Sequence, residues 1–390
     1  MKWILITCSL IMMWLDYRAA VRYVPADKQP TFYRIIASLW FLDLMIFLYD
    51  GITKLFWNDN PTWMAMASMW LNYAYMTLVI ARGPLMLAMA FTRSIVFRLL
   101  GTIIWIWAAI LFAYSTFTTR TDYLINDITI HSEHLPESFD GYRILQLSDL
   151  HIGSMVNPER EIAEIVDLCN SQHFDIIAFT GDLIDIRHSE ITPTIKSTLQ
   201  RLHAPDGIFA ITGNHDRGVY VRDSLTITTD YTTAQVLATE RSIGWCVLDN
   251  QTTYIDRGND SISITGISFS PALQEQRHSS KIDDIDIGAA YTNATDGFNI
   301  TLSHIPQLWD AILKNHTADL TLSGHVHAMQ MKFPFGKRGI SPSMLTYKRW
   351  SGLYEECGHW LYINDGIGCS MYPMRIGTNP EITIIELRCK

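Results

Sequence analysis

The chain has 390 residues, of which 48% are hydrophobic, and its formal net charge is -9 at pH 7. The length leaves room for two or three domains, and the acidic balance argues against a nucleic-acid polymer as partner, since such binders usually show a basic surface. The six cysteines contain no CxxC pair, so neither a zinc ribbon nor a dense disulfide frame is indicated. Cys357 and Cys369 either form a disulfide in an oxidising compartment or are small buried residues.

Apolar stretches crowd the first 120 residues, at 3–15, 35–57, 63–80 and 99–117. A bilayer needs about 20 apolar residues for each helical span. The second and fourth stretches meet this length, and the third meets it once it is continued through Gly83 and Pro84, which membrane helices tolerate. The first stretch is short, and it is either a weak span or the apolar core of a signal peptide. We predict a transmembrane region over residues 1–120 with about four helices.

Basic residues favour one side of these stretches. The connections after the first and third stretches hold Arg18, Arg22, Lys28, Arg34, Arg82, Arg93 and Arg98. The opposite side holds only Lys2, Lys54 and Arg120. Because loops rich in Lys and Arg stay in the cytoplasm, we expect a multi-pass membrane protein whose C-terminal portion lies outside it.

From about Ile128, short β-rich runs alternate with helical periods, and a helix is predicted to begin at Pro158 behind the N-cap Asn157. Five of the β-rich runs end in side chains that can bind a metal or transfer a proton. In chain order these are Asp149 and His151, Asp182, Asn214 with His215 and Asp216, His304, and His325 with His327. In open α/β sheets ligands bind beyond the carboxyl ends of the strands. The pattern therefore predicts one shared polar centre in an α/β domain.

These motifs resemble the calcineurin-like metallophosphoesterases: "DLH" at 149–151, "GD" at 181–182, "GNHD" at 213–216, a lone His at 304 and "GHVH" at 324–327. The resemblance covers roughly residues 140–390 and implies a four-layer αββα sandwich for a domain over residues 128–390. The N-terminal spans and the closing "PMRIGTNPEITIIEL" look like the bacterial membrane-anchored branch, which lies in the inner membrane. Its best-described relatives act on UDP-2,3-diacylglucosamine or related lipid-linked phosphate esters.

Phosphate-ester hydrolysis needs an activated water and neutralisation of charge, and two divalent ions about 3.5 to 4 Å apart provide both. The resemblance implies that Asp182 bridges the two ions. It assigns Asp149, His151 and His327 to one ion, and Asn214, His304 and His325 to the other. Mixed nitrogen and oxygen ligands suit Mn²⁺, Fe or Zn²⁺. Such a cluster requires His151 and His304 to lie within about 10 Å of the Asp182 carboxyl group.

The resemblance gives His215 a separate role as proton donor to the leaving-group oxygen, with Asp216 orienting it. Histidine suits this role because its pKa lies near neutrality. Two further residues have open roles. Asp185 is either a partner of the metal site or an exposed turn residue, and Arg375 either contacts a phosphate or forms a structural salt bridge.

The segment after "GHVH" interleaves apolar and basic residues between Met329 and Trp350. It suits a surface that touches anionic head groups and admits acyl chains, although an irregular loop packed on the domain would have the same composition. The sequence thus favours a membrane-bound phosphoesterase acting on a lipid-linked or nucleotide-linked substrate. The alternatives are a tethered phosphodiesterase or phosphatase for soluble nucleotides, and a non-catalytic sensor or scaffold. An outward-facing site would not meet cytoplasmic UDP-linked precursors, and this conflict stays open.

Overall fold

The computed structural model describes residues 2–56, 59–221, 229–276, 282, 285–315, 318–335 and 339–390. The chain divides into two compact units. The first consists mainly of the residues up to Thr118, with residues 370–374 added, and the second consists mainly of the residues from Thr119 onward.

The first unit is helical, and the described residues of the four apolar stretches lie within helices. Its α-helices are α1 (Lys2–Tyr23), α2 (Gln29–Phe56), α3 (Thr62–Tyr75), α4 (Gly83–Phe91) and α5 (Ile95–Phe117). A π-helical turn, Met76–Ile80, follows α3. Among the described residues, two helical stretches are long and apolar enough to cross a membrane by length and composition, Thr62–Phe91 and Ile95–Thr121.

Arg82 lies inside the first of these candidate spans, between the π-helical turn and α4. Its guanidinium is buried and donates to both oxygens of Asp16 on α1, at 2.5 and 2.8 Å. Arg82, one of the basic residues counted after the third stretch, therefore forms a buried ion pair inside the helical unit.

The second unit is an α/β domain whose first strand begins at Leu124, ahead of the start predicted at 128. Its described strands are β1 (Leu124–Ser132), β2 (Arg143–Leu147), β3 (Ile176–Phe179), β4 (Ile208–Ala210), β5 (Cys246–Val247), β6 (Gln251–Arg257), β7 (Asp260–Ile267), β8 (Asn299–Ser303), β9 (Leu320–Ser323), β10 (Gly352–Glu356), β11 (His359–Ile363) and β12 (Glu381–Cys389). Its described α-helices are α6 (Pro158–Asn170), α7 (Pro193–Leu199), α8 (Thr229–Ser242), α9 (Pro271–Gln276) and α10 (Trp309–Asn315).

The strands form two mixed six-stranded sheets, in the orders β1-β12-β2-β3-β4-β5 and β10-β11-β9-β8-β7-β6. Strands β2, β3 and β4 are parallel neighbours in the first sheet, and β7, β8 and β9 are parallel neighbours in the second. Leu147 pairs with Phe179, so β2 and β3 end level with each other. The carboxyl ends of the parallel strands therefore meet at one edge of each sheet.

Side chains alternate between two apolar cores along the first sheet. Ile144 and Ile176 join a cluster with Ile300 and Leu320 of the second sheet, so the two sheets pack face to face. The next residues along β2 and β3 point to the opposite face and pack with residues of α6 and α7. A third cluster joins β11 of the second sheet to α10. Two of the three cores thus hold helices against the outer faces of the sheets.

The predicted helix start is confirmed. Helix α6 begins at Pro158, and the Asn157 side chain accepts a hydrogen bond from the Arg160 N–H. This bond satisfies one of the N–H groups that a first helical turn leaves without a partner. Cys357 is exposed and Cys369 is buried, and the two thiols are free.

Candidate metal centre

The loops that follow β2, β3 and β9 turn in an unusual backbone conformation. Asp149, His151, Asp182, His325 and His327 have φ angles of 54°, 42°, 58°, 70° and 51°. Positive φ is uncommon for residues other than glycine, and it persists at functional sites where the surrounding structure enforces it. Five of the seven predicted ligands therefore share a backbone conformation that directs side chains away from a regular strand path.

Two glycines of the motifs are required by close packing. A Cβ atom added at Gly213 would overlap the Asp182 carboxylate, and one added at Gly324 would overlap Ser148 Oγ and the Asp149 carboxylate. These positions leave room only for a hydrogen, because the loop after β4 approaches the loop after β3, and the loop after β9 approaches the loop after β2, within van der Waals distance. The glycines of "GNHD" and "GHVH" thus allow the polar side chains to converge.

The first predicted ligand set is brought together. Ligand atoms of Asp149, His151 and His327 all lie within 4.8 Å of one another, and the three residues are buried. His327 Nε2 is 3.0 Å from Asp149 Oδ1 and 3.2 Å from His151 Nε2. Two donor atoms each about 2.1 Å from a common ion lie about 3.0–3.4 Å apart, so these separations fit a shared cation.

The second predicted set converges on the other side of Asp182. Ligand atoms of Asp182, His304 and His325 also lie within 4.8 Å of one another. His304 Nε2 is 3.2 Å from Asp182 Oδ2 and 3.0 Å from Asn214 Oδ1. Asp182 Oδ2 is in turn 3.7 Å from His151 Nε2 of the first set. Both histidines therefore lie well within the 10 Å that a bimetallic cluster requires, with Asp182 between the two sets.

His215 belongs to the same cluster, and its ligand atom lies within 4.8 Å of ligand atoms of His151 and Asp182. Its Nδ1 is 2.6 Å from the main-chain oxygen of Asp185 and 3.5 Å from that residue's carboxylate. Asp185 is buried, and its carboxylate also lies 3.4 Å from His151 Nδ1. Of the two roles left open for Asp185, the structure supports the one beside the metal site.

Asp216 does not occupy the predicted place beside the His215 ring. One of its oxygens accepts from the N–H groups of Asp182 and Gly213, and the other from those of Leu183 and Ile184. The expectation that Asp216 orients the His215 ring is corrected, because Asp185 holds that position. Asp216 braces the main chain that carries the bridging carboxylate.

The pKa values of His304 and Asp182 are shifted by the mixture of carboxylates and imidazoles in the cluster. Burial disfavours a charge on His304, but the adjacent Asp182 carboxylate outweighs it and raises the pKa of His304 to about 9. Burial also opposes ionisation of Asp182, yet the charges of His304 and His215 hold the pKa of that carboxyl well below its usual value. A cation that binds through His304 must therefore displace the proton that this raised pKa favours.

Arg375 is fully buried and matches neither predicted role. Its guanidinium donates to the main-chain oxygens of Asp365 and Gly368, and its Nη2 lies 3.3 Å from His327 Nδ1. Burial, together with the charges of His151 and Arg375, lowers the pKa of His327. Arg375 is therefore a buried partner of the predicted ligand His327 and not a phosphate contact.

Two residues that contact the site carry no motif. Glu190 is buried and accepts from the N–H groups of Gly153, Asp185, Ile186 and Arg187, which ties the loop after β3 to the loop after β2. Tyr220 contacts Asn214 and His215. The signal that could have drawn attention to Glu190 is its spacing of three residues from Arg187, because a glutamate at that distance can accept the earlier residue's main-chain N–H, as it does here.

A cavity of about 500 Å³ lies elsewhere in the domain, between the edge strands β1 and β10. Lys332, Asp365 and Glu381 are among its lining residues, and the seven predicted ligands are not. The assignment of a functional site therefore rests on the chemistry of the clustered side chains and not on the size of a cavity.

A two-sheet α/β domain that gathers two carboxylates, an asparagine and four histidines at its strand ends has the donor groups that a binuclear metal-dependent phosphoesterase needs. Residues 142–329 match the family of calcineurin-like phosphoesterases. The metallophosphoesterase YkuE of Bacillus subtilis, whose function is uncharacterised, is 30% identical over 67% of this chain and 84% of its own length. The chain belongs to this family, and it is a metal-dependent phosphoric ester hydrolase.

Two other relatives bear on the membrane and on the substrate. A transmembrane protein with a metallophosphoesterase domain from Danio rerio is 29% identical over 72% of this chain, which spans 61% of that relative's length. The UDP-2,3-diacylglucosamine pyrophosphatase LpxG of Chlamydia trachomatis is 26% identical over 66% of this chain and 87% of its own length.

Proposed function

We propose that the chain is a membrane-bound phosphoesterase that binds two divalent ions and hydrolyses a phosphate ester or pyrophosphate of a lipid-linked or nucleotide-linked substrate. The observation that carries this proposal is the position of Asp182, whose Oδ2 lies 3.7 Å from His151 and 3.2 Å from His304. A carboxylate between two imidazole-containing ligand sets suits a bridge between ions. The ligands of the two ions are Asp149, His151, Asp182, Asn214, His304, His325 and His327.

The ions, when bound, supply an activated water and neutralise charge on the phosphate. Of the chain's own residues, His215 supplies the proton for the leaving group of the substrate. His215 donates its Nδ1 hydrogen to the Asp185 main-chain oxygen, which leaves Nε2 to exchange a proton with the leaving-group oxygen. Asp182 receives the His215 main-chain N–H at 2.8 Å, so the proton donor and the bridging carboxylate keep a fixed separation.

Substitution of the bridge tests the metal centre. Purified full-length chain in detergent, loaded with Mn²⁺, should contain about two ions, and Asp182→Asn should lose ions and turnover together because an amide cannot bridge two cations. Asp256→Asn, an exposed aspartate on β6, is the matched control. An Asp182→Asn protein with two ions and full turnover would contradict the proposal, and wild-type chain without ions would favour the scaffold alternative.

The lipid-linked part of the proposal is supported by exposed apolar side chains in the segment after the "GHVH" loop. These are Phe333, Phe335, Ile340, Met344 and Leu345, and Leu345 is 91% exposed. Phe333 and Ile340 pair as an antiparallel bridge, while residues 336–338, with Lys337 and Arg338, lie outside the described residues. Exposed apolar side chains of this kind mark lipid or partner contact. By contrast, Trp350 packs with Val326 and Tyr347, so part of the predicted segment belongs to the domain core.

A substrate comparison tests the lipid assignment. The double variant Phe335→Ser with Leu345→Ser should lower kcat/KM for lipid-linked diphosphates and leave it unchanged for a water-soluble aryl phosphate ester. Equal loss on both substrates would show a structural effect. A wild-type preference for soluble nucleotide diesters would favour the tethered phosphodiesterase.

The membrane arrangement is also part of the proposal: four spans in a bacterial inner membrane, residues 1–120, with a four-layer domain over residues 128–390 outside the cytoplasm. Membrane attachment is supported by the two apolar helical stretches, Thr62–Phe91 and Ile95–Thr121, and by the similarity to the transmembrane protein of Danio rerio. The two outer apolar cores support the layer order. An alkaline-phosphatase fusion at Arg120 should be active, because that position is proposed to lie outside the cytoplasm. A fusion that reports a cytoplasmic location at Arg120 would reverse the proposed orientation.

A further inference from the structure

Tyr220 contacts two predicted site residues at once. It follows the "GNHD" motif in the loop after β4 and is half-buried. Its hydroxyl oxygen accepts a hydrogen bond from Asn214 Nδ2 at 3.1 Å. Its ring lies 4.4 Å, centroid to centroid, from the ring of His215, at an interplanar angle of 36°.

The hydroxyl contact bears on which end of the Asn214 amide faces the ions. A side-chain amide has one oxygen acceptor and one NH₂ donor, and only the oxygen can serve as a ligand. The Asn214 oxygen lies 3.0 Å from His304 Nε2, on the side of the second ligand set, while the NH₂ group donates to Tyr220. A phenol hydroxyl can accept as well as donate, so Tyr220 pairs with the NH₂ group when the amide oxygen faces the metal position, and this bond holds the amide there.

The ring contact bears on His215. The His215 ring meets His151 edge-on at 4.5 Å, and its Nδ1 is held by Asp185. Tyr220 packs against the same imidazole in a tilted arrangement. Close contacts between aromatic rings favour particular relative orientations of the two rings. With these three neighbours the imidazole keeps one orientation, as a proton donor requires.

We propose that Tyr220 is a positioning residue of the metal centre, whose hydroxyl fixes the Asn214 amide and whose ring supports His215. This inference rests on the proposed function, because it takes Asn214 as a ligand and His215 as the proton donor. Partners that orient metal ligands typically contribute 10–100-fold in metal affinity or activity. Loss of the hydroxyl alone should therefore weaken the second ion about tenfold and leave the first ion unchanged.

A pair of variants separates the two contacts. Tyr220→Phe removes the hydroxyl and keeps the ring, whereas Tyr220→Leu removes both. Tyr231→Phe is the matched control, because Tyr231 is exposed on α8 and its hydroxyl likewise accepts from a side-chain amide, that of Gln235. Metal-stripped full-length chain is titrated with Mn²⁺ in competition with a fluorescent chelator. Turnover of aryl phosphate esters is then measured at saturating Mn²⁺.

Tyr220→Phe should retain one site of wild-type affinity and show one weakened site, while Tyr231→Phe binds both ions as the wild type does. At saturating Mn²⁺, Tyr220→Leu should hydrolyse esters with poor leaving groups several-fold more slowly than Tyr220→Phe. Wild-type affinity at both sites of Tyr220→Phe, or equal turnover of the two variants, would overturn the inference. A wild-type chain that binds no ions would instead overturn the proposed function.

Discussion

Replacing Asp216 by asparagine should destabilise the loop that carries Asp182. Asp216 receives four main-chain N–H bonds, at 2.7 and 2.9 Å on one oxygen and at 2.9 and 3.2 Å on the other. An asparagine keeps one oxygen, so two of these buried N–H groups lose their acceptor and face an NH₂ group. Each unpaired buried donor costs about 1–3 kcal/mol, which gives about 2–6 kcal/mol for the variant.

Differential scanning calorimetry of the full chain in detergent measures this effect. For a domain of roughly this size, 1 kcal/mol shifts Tm by about 2–4 °C, so Asp216→Asn should melt at least about 4 °C lower and bind ions more weakly. The exposed Asp256→Asn variant serves as the control. An Asp216→Asn protein with unchanged Tm and two ions but low turnover would refute this reasoning, because it would show that Asp216 acts on His215 alone.

The other predictions concern the site itself. His215→Ala should retain both ions and lose about 10²–10⁴-fold in turnover, as checked by elemental analysis beside a kinetic assay; turnover at the wild-type rate would remove His215 from the mechanism. Because the pKa of His304 is raised to about 9, its imidazole must lose a proton when an ion binds. The apparent Mn²⁺ affinity, measured by competition with a chelator, should therefore rise with pH up to about 9 and then level off. An affinity that does not change with pH would contradict this. Gly213→Ala should abolish ion binding through overlap with Asp182, whereas Gly297→Ala in an open loop should not.

Sequence by itself determined the strand ends that carry the site. Asp149 and His304 each follow a β-rich run, and the carboxyl ends of parallel strands meet at one sheet edge. Local rules also placed the helix start at Pro158 and the apolar helices of the first unit. These features depend on residues close together in the chain, which is why composition and spacing sufficed.

Only the tertiary structure decided which polar groups support the site. Asp185 rather than Asp216 lies beside His215, and Tyr220 folds back onto Asn214 within the loop after β4. The buried pair of Asp16 and Arg82 likewise joins residues far apart in sequence. A hydrogen bond between loops depends on the path that each loop takes over the packed sheets, and neither periodicity nor motif spacing encodes that path.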